Sequence, residues 1–151
     1  MKIKLSLLFL ICCSISFSQN FDKKVNDLIL NYENEVIELR HWFHENAELS
    51  NREFKTAKRI EQELIKIGLN PQTGIAKTGV VAVLKGGKPG PVVALRADID
   101  GLPVKERADL PWASKMTGIY NGEKVPVMHA CGHDTHTALL LGVAQVLYEL
   151  K

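Results

Sequence analysis

Five side chains of types that bind divalent metals lie close together near the end of the sequence. They are His129, Cys131, His133, Asp134 and His136. Thiolate and imidazole are strong donors for a metal such as zinc, and short spacing lets one turn present several of them. Cys131 and His133 are two residues apart, so both side chains can point the same way from an extended turn, and Gly132 between them allows a tight bend. The pattern favours a metal site.

Spacing alone leaves a second interpretation open for these residues. A lone cysteine often packs as a small hydrophobic residue, and a lone histidine is often an ordinary hydrogen-bonded polar residue. A Cys-x-His pair is also a weaker signal than paired Cys-x-x-Cys motifs, and two ligands do not complete a tetrahedral site. Further ligands are therefore expected from elsewhere.

A second polar group, Asp98 and Asp100, follows the apolar segment 92–95. In open α/β sheets, ligands gather beyond the carboxyl ends of the strands. Either aspartate could bind a metal or accept the free ring N–H of a ligating histidine. A solvated turn before Gly101, with Arg96 paired to one of the acids, explains the same residues equally well.

A third polar group lies on the first predicted helix and contains Arg40, His41, His44, Glu45 and Glu48. His41 and His44 are three residues apart on a helix, so they could chelate a metal together. The favoured interpretation is an exposed helix face on which the two histidines are incidental.

The elements that position these groups alternate between helix and strand. Apolar residues at three- and four-residue steps predict helices over 21–47 and from about 135 to 151. A further helix is predicted to begin at Ser50, capped by its hydroxyl together with Glu53, and to end at Gly68. Continuous apolar runs predict short strands, whereas 102–120 is predicted to be irregular. The predicted strands are 80–84, 92–95 and 125–128.

Composition fits one globular domain and excludes several classes of function. The chain has 151 residues, 46% of them hydrophobic and 24% charged, which is enough for a real core. The net charge is +2, and it comes from Lys2 and Lys4 near the N-terminus. Residues 19–151 carry as many acidic as basic side chains, so neither a nucleic-acid groove nor a basic membrane patch is predicted.

Residues 1–18 are predicted to be a signal peptide, which implies an exported protein, periplasmic or extracellular. A basic start, an apolar stretch and a small residue at Ser18 fit cleavage before Gln19. The stretch is short for a membrane span, so no stable membrane anchor is expected. A lipoprotein signal is the alternative, with Cys12 or Cys13 as the lipidated residue. After cleavage Cys131 is the single cysteine, and no internal disulfide can form.

Four segments resemble, in order, the amidohydrolase branch of peptidase family M20, which includes aminoacylases, hippurate hydrolases and auxin-conjugate hydrolases. The last segment is very specific, and the other three support it. The segments are 44–50 (HENAELS), 79–85 (GVVAVLK), 93–103 (VALRADIDGLP) and 128–137 (MHACGHDTHT).

The resemblance implies a zinc-peptidase-like α/β/α sandwich that is incomplete in this chain. Residues 19–151 would be the N-terminal part of the catalytic domain, without the lid domain. It also implies two divalent metal ions, Zn²⁺ or Mn²⁺, with Cys131 and His133 as ligands. Asp98 would support the site from behind the ligands, and His136 would lie near it.

The resemblance also implies that no catalytic residue lies in this chain. In the family, the acid–base glutamate and the remaining ligands follow the last segment, whereas after residue 137 this sequence has Glu149 as its single acid and no histidine.

The expected function is metal-dependent hydrolysis of the amide bond of N-acyl amino acids or small peptide-like amides. The longer enzyme is expected to be a homodimer acting on small molecules, and the 151-residue chain alone is expected to be inactive. The alternative is a truncated, non-catalytic exported fragment with weak metal binding at most. A redox or metal-buffering role for Cys131 is disfavoured, because no second cysteine remains to resolve a sulfenate.

Overall fold

The structure, a computed structural model, describes the backbone of residues 2–151 and the side chains of residues 21–151. The predicted signal peptide, residues 1–18, lies outside the residues whose side chains are described. Helices and strands mix along the described range, which confirms the α/β class. In chain order they are α1 (Lys2–Glu45), α2 (Phe54–Ile67), β1 (Gln72–Ile75), β2 (Gly79–Val81), β3 (Thr117–Tyr120), β4 (Glu123–Pro126) and α3 (His133–Leu150). In this range no helix combines the length and apolar character needed to cross a membrane.

The main core lies where the three helices meet. Each helix contributes apolar side chains three or four residues apart, because that spacing places them on one face. Phe43 at the centre of this core is 1% exposed. The buried members are Leu39 and Phe43 from α1, Ile60 and Leu64 from α2, and Ala138 and Leu141 from α3. The three predicted helices are confirmed, although α3 begins at His133, two residues earlier than expected.

The predicted capping of α2 by Ser50 is wrong, whereas its predicted end is confirmed. The helix begins at Phe54, and Ser50 lies exposed in the preceding turn. The first backbone N–H groups are instead bound by the carboxylate of Glu48, which accepts from Thr56 at 2.8 Å. The Glu48 side chain is long enough to reach across the turn to these N–H groups, so the helix start is capped without a serine hydroxyl. Gly68 ends the helix with φ of 100°, a left-handed conformation that suits glycine.

The strands form two separate antiparallel hairpins among the described residues. β1 pairs with β2. The predicted strand 80–84 is confirmed only in its first part, because β2 ends at Val81. β3 pairs with β4 in a regular register, from Thr117 opposite Pro126 to Tyr120 opposite Glu123. β4 overlaps the predicted strand 125–128, whereas β3 lies in the region predicted to be irregular.

The predicted strand at 92–95 is wrong for the described residues, because 82–100 form neither helix nor strand there. Val92 is 99% exposed and Val93 is 75% exposed. A strand needs a neighbour to take up its backbone hydrogen bonds, and the strand pairs among the described residues, β1 with β2 and β3 with β4, do not include this segment. The continuous apolar run that predicted a buried strand is therefore exposed here.

Two isolated β-bridges bring the predicted site segments together. Leu49 pairs in parallel with Gly101, and Leu102 pairs in antiparallel fashion with Met128. The backbone N–H of Leu102 donates to the Met128 oxygen at 2.8 Å, and Met128 N–H donates to Leu102 at 3.1 Å. A small second core of Ala47, Leu49 and Val127 fills the space behind these bridges. The segment after residue 97 therefore lies beside the turn that leads into α3.

Candidate metal centre

The turn into α3 presents Cys131 and His133 on either side of a glycine. Gly132 has φ of 81°, which a residue with a Cβ rarely adopts, so the predicted tight bend is confirmed. Its carbonyl accepts the N–H groups of Thr135 at 3.0 Å and His136 at 3.1 Å, which starts the helix. The Cys131 thiol is free and exposed.

The ring of His133 is oriented by Asp100. Its Nδ1 lies 3.0 Å from the backbone oxygen of Asp100 and 3.0 Å from the Oδ1 atom of the same residue. A carbonyl oxygen only accepts hydrogen bonds, so Nδ1 carries the proton and donates. In the neutral ring, Nε2 then carries the lone pair, which is the form of imidazole that binds a metal. A carboxylate behind a histidine in this way is the usual support for a ligating imidazole.

The carboxylate of Asp98 binds Arg96 instead of His133, although the Asp98 backbone is close to α3. Its Oδ1 accepts from Arg96 Nη2 at 2.7 Å and from Nε at 3.2 Å. The hydrogen bond from Arg96, together with its charge, lowers the pKa of Asp98 below 3.8. The backbone oxygen of Asp98 lies 3.2 Å from the Thr137 hydroxyl. The contact that was expected of either aspartate is thus made by Asp100, and the supporting role of Asp98 stays a prediction.

His136 is exposed one turn into α3, and its ring centroid lies 5.5 Å from that of His133. Four predicted site residues therefore surround the start of α3: Cys131, His133, Asp98 and His136. Among the described residues, no three or more His, Cys, Asp or Glu side chains converge closely enough to hold a metal ion. The exposed thiol and the free Nε2 fit a divalent metal in donor chemistry, but they are part of a ligand set rather than all of it.

His129 lies behind this turn and is 5% exposed. Neither of its ring nitrogens has a hydrogen-bond partner among the described side chains. Burial is the main cause that lowers its pKa to about 4, so the ring is neutral near pH 7.

The prediction that His41 and His44 lie on an exposed helix face is wrong. His44 is buried and contacts two carboxylates, with Nδ1 2.8 Å from Asp134 Oδ2 and Nε2 2.7 Å from Glu106 Oε2. His41 is half-buried and stacks on Trp112, with ring centroids 3.6 Å apart. Packing against the segment after residue 102 buries His44 and covers part of His41. The two histidines have different partners, carboxylates for His44 and an indole for His41.

Glu106 is a residue of this cluster that the sequence did not indicate. Asp134 was grouped with the possible metal-binding side chains, but it is 1% exposed and contacts His44 and Arg40. Glu106 belongs to no motif, and nothing local distinguishes it from a surface acid. The one available signal was the spacing of Arg40 and His44, which places both on the face of α1 that meets α3.

A scan against family models matches residues 94–151 to peptidase family M20/M25/M40. Thermostable carboxypeptidase 2 of Saccharolobus solfataricus is 43% identical over 130 residues, covering 85% of this chain and 31% of that protein. Hippurate hydrolase of Campylobacter jejuni is 45% identical over 119 residues, covering 79% of this chain and 29% of that protein. The chain thus spans about a third of the length of these relatives.

A solved structure shares the fold of the described residues. It is a Bacillus subtilis protein described as a dinuclear metal-binding peptidase from the M20 family. The match has a TM-score of 0.71 at 40% sequence identity, and covers 80% of this chain and 32% of that one. The resemblance inferred from the four sequence segments is confirmed.

Proposed function

We propose that the complete gene product is a metal-dependent hydrolase, because residues 94–151 match peptidase family M20/M25/M40 and a hippurate hydrolase is among the similar proteins. Its substrates would be N-acyl amino acids or small peptide-like amides. The observation that carries this proposal is the Cys131–Gly132–His133 turn, where Asp100 fixes the proton of His133 on Nδ1. That arrangement leaves one thiol and one imidazole nitrogen free on the same turn.

Cys131 and His133 would contribute two ligands to a centre of two divalent ions. The support for two ions is the description of the Bacillus subtilis relative as dinuclear. Thiolate and imidazole favour zinc, and a site completed by carboxylates would also admit manganese. When bound, such ions polarise the scissile carbonyl and provide a hydroxide near neutral pH.

The described residues prepare the site rather than carry out proton transfer. Asp100 holds the His133 ring in the tautomer that binds metal, and the left-handed Gly132 separates the two donors. No residue of this chain is assigned as the general base. The sequence resemblance places that glutamate beyond the last matched segment, so the proposed activity is that of the complete protein.

Export is part of the same proposal. Cleavage after Ser18 would release a protein beginning at Gln19, in which Cys131 is the single cysteine of residues 19–151. Sequencing the N-terminus of the purified mature protein tests this directly. A modified Cys12 or Cys13 at the N-terminus would support the lipoprotein alternative.

The experiment for the proposed activity uses the complete gene product, loaded with Zn²⁺ or Mn²⁺ and offered N-acetyl and N-benzoyl amino acids. We expect release of the free amino acid, its loss on chelation and its return when metal is added. Cys131→Ser should lose most of the activity, whereas the matched control Glu35→Gln, far from the turn, should keep it. Absence of hydrolysis across the panel, or hydrolysis that resists chelation, would contradict the proposal and favour a non-catalytic product.

A further inference from the structure

A chain of polar and charged side chains joins α1 to the start of α3 and to the segment that contains Glu106. His44 lies at its centre with a side chain that is 8% exposed. Asp134 Oδ2 accepts from His44 Nδ1 at 2.8 Å and from Arg40 Nε at 3.1 Å. Arg40 and His44 are four residues apart on α1, so they reach the same carboxylate from one helix face.

His44 lies between two carboxylates that come from distant segments. Each ring nitrogen lies within 2.8 Å of a carboxylate oxygen, Asp134 on one side and Glu106 on the other. The ring therefore links α1 both to the start of α3 and to the Glu106 segment. The ring centroid of His129 lies 6.5 Å away.

The Glu106 carboxylate is held by its own backbone as well as by His44. The backbone N–H of Ala108 and the contact with His44 lower the pKa of Glu106 to about 2. The carboxylate is therefore ionised near pH 7 and only accepts hydrogen bonds.

The geometry assigns His44 as a positioning residue that fixes the first turn of α3, and with it Cys131 and His133, against α1 and the Glu106 segment. The inference rests on the proposed function for the role of Cys131 and His133. The positioning of the backbone does not depend on metal binding. Asp134 directly follows His133 in the chain, so contacts that fix Asp134 also fix the backbone of His133. Asp100 orients the ring of His133, whereas His44, through Asp134, fixes the backbone that carries it.

The first test is hydrogen–deuterium exchange of the backbone amides at 133–137 in the complete gene product, which reports on the start of α3 without any metal. We expect exchange there to become at least about tenfold faster in His44→Gln. Glu35→Gln is the matched control, because Glu35 on α1 contacts Lys66 on α2 and Gln145 far along α3. It should change exchange at 133–137 less than about twofold.

A second variant covers the case in which His44→Gln fails to fold. Glu106→Gln keeps Asp134 paired with both Arg40 and His44, so it should remain folded. It should accelerate the same amides in the same direction by a smaller factor. If His44→Gln folds and exchange at 133–137 is unchanged, the inference is overturned. If His44→Gln is unfolded, unchanged exchange at 133–137 in Glu106→Gln overturns it.

The second test separates this inference from the proposed function by using Co²⁺ as the probe. In the complete protein, the near-ultraviolet band from Co²⁺ bound to a thiolate reports on Cys131. His44→Gln should weaken Co²⁺ binding about tenfold, in the range that residues behind metal ligands contribute, while Glu35→Gln should not. Unchanged affinity would overturn the link to the turn of Cys131 and His133. If the wild-type protein binds no Co²⁺, the proposed function fails, and the exchange results still decide the role of His44.

Discussion

Asp100 holds His133 through two contacts to one ring nitrogen, since Nδ1 lies 3.0 Å from both the backbone oxygen and Oδ1 of the aspartate. The pair is partly buried, with side chains that are 15% and 24% exposed. The aspartate lies 33 residues before the histidine in the sequence. The bridge between Leu102 and Met128 brings the two segments together.

Asp100→Asn should weaken metal binding by the complete protein about tenfold, because the carboxylate behind a ligating histidine increases its basicity and fixes its orientation. The backbone oxygen of Asp100 still accepts from Nδ1 in this variant, so the site should not be lost altogether. Asp98→Asn is the matched control, because its carboxylate binds Arg96 instead. Titration with Co²⁺ measures both, and a larger loss in Asp98→Asn would show that Asp98 is the supporting residue that the resemblance implies.

The Cys131 thiol should react with an alkylating reagent in metal-free protein and be protected when metal is bound. The reason is that a thiolate that binds a metal has its nucleophilic lone pair engaged. Mass spectrometry of iodoacetamide-treated protein, with and without chelator, measures the difference. Equal labelling in both conditions would show that Cys131 is not a ligand.

Glu106→Gln should lower the free energy of unfolding by roughly 1–3 kcal/mol at pH 7, the cost of a lost hydrogen bond to a charged group. The folded-state pKa of Glu106, about 2, lies below its ordinary 4.5. The ionised carboxylate therefore stabilises the fold above pH 4.5, and this contribution is lost as pH falls from 4.5 toward 2. The difference between wild type and variant should be smaller at pH 3.5 than at pH 7.

Urea unfolding at the two pH values, with chelator present throughout, measures that difference. Glu123→Gln is the control, because Glu123 is an exposed carboxylate in β4. It should change stability by less than about 0.5 kcal/mol at both pH values. A difference for Glu106→Gln that is the same at pH 3.5 and pH 7 would contradict the depressed pKa.

The 151-residue chain by itself should show no amidase activity on N-acetyl or N-benzoyl amino acids. A general base and a complete ligand set each contribute orders of magnitude to such reactions, and the described residues supply neither. The assay compares this chain with the complete gene product at equal metal loading. Metal-dependent turnover by the chain alone would require a base among Asp98, Asp100 and Asp134.

Local patterns in the sequence predicted the helices and the tight bend at Gly132 well. Apolar spacing identified the faces that carry Phe43, Leu64 and Leu141, because helical periodicity is a property of a few consecutive residues. Gly68 and Gly132 were predicted correctly for the same reason, since each left-handed bend depends on one residue. The turn of Cys131 and His133 is equally local.

Contacts between distant segments could not be predicted from the same patterns. His44 pairs with Asp134, 90 residues further along the chain, and with Glu106, 62 residues away. Local charge density made His44 look exposed, and only the packing of α1 on α3 shows that it is buried. The choice of Asp100 over Asp98 at His133 likewise depends on the register of a bridge between two distant segments. Around Val92 the local apolar pattern predicted a strand, but the strand pairs among the described residues do not include this segment.

A metal at the turn that starts α3 can be located by anomalous X-ray diffraction from crystals of the complete, zinc-loaded protein. Data collected on both sides of the zinc absorption edge locate the metal independently of any assumed ligand. We expect an anomalous peak about 2.3 Å from Cys131 Sγ and about 2.0–2.1 Å from His133 Nε2, the usual zinc distances. Zinc at a position that contacts neither residue, in protein that hydrolyses its substrate, would show that this turn does not hold the metal.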